Sequence, residues 1–124
     1  MKEIKTILVA IDYSAMAQEA LKRAIFIAKD KDAQLIVIHV IEPPFIESPF
    51  LKLVDKDEIK QELTNNINKL NSEANLKYIL FVESGLAVGT IARKVETTKA
   101  DLLIIGTHGK DDLRSNYFGS TALK

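Results

Sequence analysis

Apolar residues follow two alternating patterns along the chain. Four short segments consist largely of apolar residues, at positions 6–11, 34–41, 77–83 and 102–105. A parallel strand that is covered on both faces shows such a continuous apolar run. Between these segments, apolar residues recur every three to four positions, which is the spacing of an amphipathic helix. The pattern therefore predicts an α/β fold with a mainly parallel open sheet and helices on both faces, joined by right-handed crossovers.

Three helical stretches separate the predicted strands. Ser14 is a candidate N-cap for the first, and the second is predicted over residues 56–73. The apolar stripe of each helix is predicted to pack on the sheet. The stripes consist of Ala17, Leu21, Ala24, Ile25 and Ala28 in the first helix, Ile59, Leu63, Ile67 and Leu70 in the second, and Ile91, Ala92 and Val95 in the third.

The composition narrows the class of protein. At 124 residues the chain is expected to be one domain, residues 1–124, that buries its core without disulfides, and it has no cysteine. Lysine plus arginine and aspartate plus glutamate both number 17, so no net charge attracts nucleic acid. The amino-terminal sequence lacks a secretory-signal pattern, and no apolar stretch approaches the roughly 20 residues of a membrane span. We expect a cytoplasmic protein with no nucleic-acid or membrane partner.

The segment with the clearest binding chemistry follows the fourth predicted strand. Gly106 ends that strand, Gly109 follows, and nine residues separate Gly109 from the triplet Gly119, Ser120 and Thr121. Ligands of open α/β sheets dock at the carboxyl ends of strands, and glycine has no Cβ to block them. The triplet is predicted to begin a helix whose free N–H groups and hydroxyls suit a phosphate chain. The alternative is a tight turn, an ordinary loop and a plain helix cap.

The glycine spacing, Gly-x2-Gly-x9-Gly-Ser, resembles the nucleotide-binding signature of the universal stress protein family. A Val-Ala-Ile-Asp segment at residues 9–12, the pair His39-Val40 and a Val-Glu-x-Gly segment at residues 82–85 follow the family's order too, so the resemblance extends over essentially the whole chain. It implies the Rossmann-like fold of that family and ATP as the ligand. The residues that it implies for the site are Ala10, Asp12, Val40, Gly106, Gly109, Gly119, Ser120 and Thr121.

The resemblance gives roles to residues that are ambiguous by themselves. In the family, the counterpart of Asp12 contacts the adenine and ribose end of ATP, whereas Asp12 taken alone also suits a cap for the first helix. Family members contact the adenine edge with backbone groups at the position of Val40, which is otherwise one more core valine. A divalent ion such as Mg²⁺ would be held mainly by the phosphates.

The chain departs from the family pattern at two places. A proline commonly lies two residues after the glycine at position 85, where this chain has Ala87. Family members also usually continue through a full helix and a fifth strand, which often pairs two subunits, whereas residues 119–124 can only begin such a helix. Either the sequence omits a tail or the sheet is completed in another way. We expect a homodimer, because an unpaired strand edge recruits partners.

The longest connection, residues 42–55, holds all three prolines. It also contains apolar residues, among them Phe45, Phe50 and Leu53. A connection of this length is expected to be either a lid over the binding site or an apolar cover for the sheet edge or a partner.

The sequence does not assemble a catalytic centre. His39 lies within an apolar strand and is predicted to be a packed strand residue, while His108 lies between two glycines, and their spacing fits no metal motif. No Gly-x-Ser-x-Gly elbow surrounds Ser120, and no Walker lysine follows the glycines. The sequence therefore favours an ATP-binding regulatory or stress-response module with at most slow hydrolysis. The alternatives are a slow ATPase or nucleotide-transferring enzyme on the same fold, and a nucleotide-free dimerisation module.

Overall fold

The computed structural model describes residues 3–12, 15–42, 55–106 and 117–119. Within them the chain forms one sheet, whose strands are β1 (Thr6–Ala10), β2 (Gln34–Ile41), β3 (Tyr78–Ser84), β4 (Leu102–Ile105) and β5 (Tyr117–Gly119). The strand order is β3-β2-β1-β4-β5. Strands β1 to β4 are parallel, and β5 is antiparallel to β4. The predicted mainly parallel α/β sheet is confirmed.

Helices cover both faces of the sheet. Because successive strand residues point to opposite faces, β1 sends Ile7 and Val9 to one side and Leu8 to the other. The first side is covered by α1 (Ala15–Lys31) and α2 (Lys56–Leu70), and the second by α3 (Ala87–Thr98). Among the helices of the described residues, none combines the length and apolar character that crossing a membrane requires.

The predicted apolar stripes pack on the sheet, with one exception. All five stripe residues of α1 are buried, and in α2 Leu63 and Ile67 are buried between partly buried neighbours. In α3, Val95 is buried and Ile91 is partly buried, but Ala92 is exposed, so its predicted place on the inner face is wrong. Ile91 and Val95 are four positions apart and share a face, whereas Ala92 is turned about 100° away from Ile91.

Helix α2 begins and ends at side chains that replace missing backbone hydrogen bonds. The carboxylate of Asp55 accepts from the backbone nitrogens of Asp57 and Glu58 at 3.0 and 3.3 Å. At the other end, the amide of Asn71 donates to the Leu76 carbonyl at 2.7 Å and accepts from the Leu76 nitrogen at 3.0 Å. This pair of bonds closes a turn, so α2 ends before Asn71 and not at residue 73 as predicted.

The carboxyl-terminal end of the described chain differs from the prediction. Gly119 is the last residue of β5, so the prediction that it begins a helix is wrong. The three residues of β5 pair with β4 from Leu102, opposite Gly119, to Ile104, opposite Tyr117. This pairing supplies hydrogen-bond partners to an edge of β4 that would otherwise lack them. Ser14 and the connection 43–54 lie outside the described residues.

Candidate functional site

The strand order reverses between β1 and β4. From β1 the chain proceeds to β2 and then to β3 on one side, and α3 returns it to β4 on the other side of β1. In open α/β sheets, ligands bind in the crevice outside the carboxyl ends of the two strands at such a reversal. The carboxyl ends of β1 and β4 are therefore the candidate ligand site of this fold.

Two of the predicted site residues meet at these ends. Ala10 is paired with Ile105 in the sheet, and the backbone nitrogen of Gly106 lies 3.5 Å from the carbonyl oxygen of Ala10. Gly106 is buried. Asp12 follows two residues after Ala10, just beyond the end of β1. The crevice thus has Ala10 and Asp12 on one side and Gly106 on the other.

Val40 lies at the same edge, on the strand next to β1. Ala10 is paired with Ile38, so Val40 is two residues nearer to the carboxyl edge than Ala10 is. The side chains of Ala10, Val40 and Ile105 belong to the apolar cluster on the α3 face of the sheet. The structure therefore brings Ala10, Val40 and Gly106 together, with Asp12 just above them.

The carboxylate of Asp12 is half-exposed beside a small cavity. This cavity of about 40 Å³ lies between the end of β1 and helices α1 and α2, and its polar walls are Asp12, Gln18 and Asn66. A water molecule takes up roughly 30 Å³ in the liquid, so the cavity admits water and is too small for a nucleotide base. A nucleotide at this edge would lie across the strand ends. The hydrogen-bonding groups there are the Asp12 carboxylate and the backbone groups at the strand ends, which suit ribose hydroxyls and a purine edge. Gly106 has no side chain that would block the ligand.

A larger groove lies at the opposite edge of the sheet. It has a volume of about 360 Å³ and is open to solvent, and it is lined by Asp32, Ala33, Gln34, Leu76, Lys77, Tyr78 and Ile79. These residues surround the amino ends of β2 and β3. Ligands of open α/β sheets bind at the carboxyl ends, so volume alone does not make this groove the candidate site.

His39 joins β2 to the end of β1. Its side chain is buried, and its ring nitrogen Nδ1 lies 2.9 Å from the carbonyl oxygen of Ile11. Because a carbonyl only accepts hydrogen bonds, Nδ1 carries the proton in this contact. The predicted packing of His39 within its strand is confirmed, but sequence reasoning missed the hydrogen bond. A signal was present, since a buried polar ring requires a partner.

Glu42 caps α3 from the end of β2. Its carboxylate oxygen Oε2 accepts from the backbone nitrogen of Ala87 at 3.0 Å, while the N-cap residue Leu86 offers no side-chain acceptor. The backbone nitrogen of Gly85 donates to the Ile41 carbonyl at 3.0 Å, and Gly85 has a φ of +147° that favours glycine. A proline at position 87, as the resemblance implies, would lack the N–H that Ala87 donates. The departure at this position therefore has a structural counterpart in Glu42, which sequence reasoning missed.

An ion pair fastens α3 to β3. The Lys94 nitrogen Nζ lies 2.6 Å from Oε2 of Glu83 and 3.9 Å from the centroid of the Phe81 ring. The side chain of Lys94 is only 16% exposed, so the pair is partly shielded from water. Glu83 is paired with Val40 in the sheet, so the ion pair holds α3 against β3 close to the carboxyl edge.

Of the remaining predicted site residues, Gly119 alone belongs to the described part of the chain, and it lies away from this edge. Gly119 lies opposite Leu102, at the amino end of β4, about 10 Å along the strand from Ile105. Gly109, Ser120 and Thr121, together with His108, lie outside the described residues. Within residues 3–12, 15–42, 55–106 and 117–119, no three His, Cys, Asp or Glu side chains form a cluster that could hold a metal ion.

Comparison with known proteins gives a consistent result. Residues 3–124 match the sequence model of the universal stress protein family. A universal stress protein of Methanocaldococcus jannaschii is 33% identical over an alignment of 125 positions, which covers 95% of this chain and 73% of that protein. A crystal structure of a universal stress protein in complex with cAMP has a TM-score of 0.67 and 22% identity, covering 89% of this chain and 78% of that one. An Arabidopsis thaliana universal stress protein family member with AMP bound has a TM-score of 0.61 and 16% identity, covering 88% and 80%.

Proposed function

The chain belongs to the universal stress protein family, and we propose that it binds an adenine nucleotide, ATP, at the carboxyl ends of β1 and β4. The observation that carries this proposal is the contact between Gly106 and Ala10 where the strand order reverses. Ligands of open α/β sheets bind at that point. Two family members with similar folds, one in complex with cAMP and one with AMP bound, support the adenine moiety.

The proposed roles follow from the chemistry of each residue. The purine lies against the apolar side chains of Ala10 and Val40, with backbone groups of Val40 at its edge. The carboxylate of Asp12 accepts hydrogen bonds from the ribose hydroxyls, because an ionised carboxylate only accepts. Gly106 has no side chain, so the ligand approaches its backbone closely.

The phosphate half of the proposed site rests on the sequence motif. Gly109, Ser120 and Thr121 are the proposed phosphate contacts through backbone N–H groups and hydroxyls. Gly119 is left out, because it is paired with the amino end of β4. Mg²⁺ would be held mainly by the phosphates, as is usual for this ion.

Isothermal titration calorimetry with Mg²⁺ present tests this proposal. ATP should bind at one site per chain, and GTP should bind more weakly because its base presents different groups to the strand edge. Asp12→Asn should weaken ATP binding, whereas Asp30→Asn, an exposed change in the last turn of α1, should leave it unchanged. Absence of ATP binding at millimolar concentration would refute the proposal.

We also propose that the protein acts by holding the nucleotide, as a regulatory or stress-response module, with at most slow hydrolysis. The described histidine is engaged with a backbone carbonyl in the core, which supports holding over turnover. A phosphate-release assay separates a protein that only holds ATP from one that hydrolyses it rapidly. Turnover near the enzyme median of roughly 10 per second would favour an ATPase instead.

The third part of the proposal is a homodimer. Among the described residues, β3 lies at one edge of the sheet and the three-residue strand β5 lies at the other, so both edges present backbone groups to a partner. Light scattering over a concentration series, with and without ATP, should give about twice the 13.8 kDa of one chain. A concentration-independent monomer in both conditions would refute the dimer.

A further inference from the structure

His39 occupies a position where β2 otherwise carries apolar side chains. Leu35 and Val37 lie four and two residues before His39 on the strand, so all three face the same side of the sheet. Leu35 and Val37 are fully buried. Placing an imidazole ring there costs free energy unless its polar atoms are bonded. Nδ1 of His39 meets the Ile11 carbonyl at 2.9 Å, across 28 residues of sequence. The ring thus connects β2 to the residue that immediately precedes Asp12.

The peptide between Ile11 and Asp12 transmits this contact. The backbone nitrogen of Ile11 donates to the Ile38 carbonyl at 2.9 Å, and the Ile11 carbonyl accepts from His39, so both backbone groups of Ile11 face β2. The peptide unit is planar and trans, so the next N–H points opposite to the carbonyl. The Asp12 N–H therefore points away from the His39 ring.

We propose that His39 is a positioning residue for the nucleotide site. By donating from Nδ1 to the Ile11 carbonyl, it fixes the plane of the Ile11–Asp12 peptide and so sets the direction in which Asp12 faces the crevice. This inference rests on the proposed function and assigns a part in it to a residue that does not itself touch the ligand. An aliphatic residue at position 39 would fill the core but would leave the Ile11 carbonyl without this donor.

Two substitutions separate the hydrogen bond from packing. The side-chain amide of asparagine occupies roughly the place of Nδ1, whereas that of glutamine occupies roughly the place of Nε2. His39→Asn can therefore still donate to Ile11, and His39→Gln cannot donate from the same place. Val37→Ala is the matched control, because it removes buried volume from the same strand and face without touching the Ile11 carbonyl.

The readouts are ATP affinity by calorimetry, melting temperature, and NMR signals of the free protein. In the wild type, the ¹⁵N spectrum of the His39 ring should show a proton on Nδ1. His39→Asn should keep the ATP affinity within about threefold, and His39→Gln should lower it about tenfold, the size of one hydrogen bond's effect. The Asp12 amide signal should move in the Gln variant and stay in the Asn variant. Val37→Ala should lower the melting temperature and leave the affinity unchanged.

The outcomes distinguish this inference from the proposed function. If wild type binds ATP and both His39 variants bind it equally well, the positioning role is refuted while the nucleotide site stands. If Val37→Ala lowers the affinity as much as His39→Gln, the effect is one of general stability and the role is again refuted. If wild type does not bind ATP, the proposed function fails and the positioning role fails with it. Should the variants not fold, a wild-type His39 ring that is protonated only on Nε2 would overturn the inference.

Discussion

The backbone nitrogen of Gly106 lies 3.5 Å from the carbonyl oxygen of Ala10, one residue beyond the end of β4. Backbone hydrogen bonds are usually 2.7–3.2 Å long, so β1 and β4 begin to separate at this point. The separation coincides with the reversal of strand order, and Asp12 lies beside it. The long distance between Gly106 and Ala10 therefore marks the start of the proposed binding crevice.

Replacing Gly106 should abolish stabilisation by ATP. A valine side chain at this buried position would occupy the space that the ligand needs beside Ala10. In the wild type, ATP at about a hundred times its dissociation constant should stabilise the fold by about 2.7 kcal/mol. For a domain of this size, that corresponds to a rise of about 10 °C in melting temperature. Gly106→Val should show no such rise in differential scanning fluorimetry.

Gly89 provides the control for this substitution. It lies on the exposed side of α3, and a Cβ added there meets nothing within 4 Å. Gly89→Ala should raise the melting temperature slightly through helix propensity and keep the full ATP-dependent rise. A full rise in Gly106→Val would contradict the assignment of Gly106 to the site.

Ala87→Pro should destabilise the protein only while Glu42 is present. Leu86 has the extended conformation that a following proline requires, and proline is favoured at the first position of a helix. In the native chain, however, proline removes the N–H that donates a hydrogen bond to Glu42. This loss should lower the free energy of unfolding by about 1 kcal/mol. In a Glu42→Ala background the same change should be neutral or stabilising. Urea unfolding of the four proteins measures this, and equal effects in both backgrounds would show that the Glu42 contact contributes nothing.

The ion pair between Lys94 and Glu83 should contribute more than an exposed pair does. A double-mutant cycle with Lys94→Met and Glu83→Gln should give a coupling free energy of about 1 kcal/mol, since Lys94 is shielded from water and lies 2.6 Å from Glu83. The pair Lys22 and Glu19 is 3.5 Å apart, and both of its side chains are mostly exposed. Its cycle should give only a few tenths of a kcal/mol. Equal coupling for both pairs would contradict the shielding argument.

Tyr78 should make stability depend on pH in the alkaline range. Burial raises the pKa of its phenol above the ordinary value of 10.0, with a hydrogen bond from Thr64 opposing the shift. The folded state thus favours the neutral phenol. This contribution is fully present below the unfolded pKa, and it is lost as pH rises through the folded pKa. The difference in unfolding free energy between wild type and Tyr78→Phe should be constant up to about pH 9. Above about pH 10, wild type should lose stability relative to Tyr78→Phe. A difference that is constant over the whole range would refute the shifted pKa.

Local patterns were sufficient to predict much of the sheet. The bounds of β2 and β4 agree with the prediction, because β2 is an apolar run that stops at Glu42 and β4 is an apolar run between Asp101 and Gly106. The α1 and α2 stripes follow from periodicity. The apolar runs also place Ala10 and Gly106 at the ends of strands, but their meeting depends on the strand order, which no local pattern determines. The phosphate contacts, the homodimer, the cytoplasmic location and the absence of fast hydrolysis remain predictions.

The side-chain contacts that the sequence analysis missed join distant parts of the chain, and so does the pairing that places Gly119 in a strand. His39 and Ile11 are 28 residues apart, and Glu42 and Ala87 are 45 apart, so no local pattern connects them. Gly119 is next to a serine and a threonine, which suggests a helix start, but pairing with β4 determines its conformation instead. Such pairing depends on which strand edge is available, and that is known only when the sheet is formed.

An NMR titration of the ¹⁵N-labelled protein with ATP and Mg²⁺ tests the central claim most directly. If ATP binds at the proposed site, the amide signals of Ala10, Asp12, Val40 and Gly106, all at the carboxyl edge, should show saturable shifts. The amides that line the groove at the opposite edge, such as Gln34 and Lys77, should stay in place. The claim is contradicted if the spectrum does not change at millimolar ATP, or if the shifts cluster around Gln34 and Lys77.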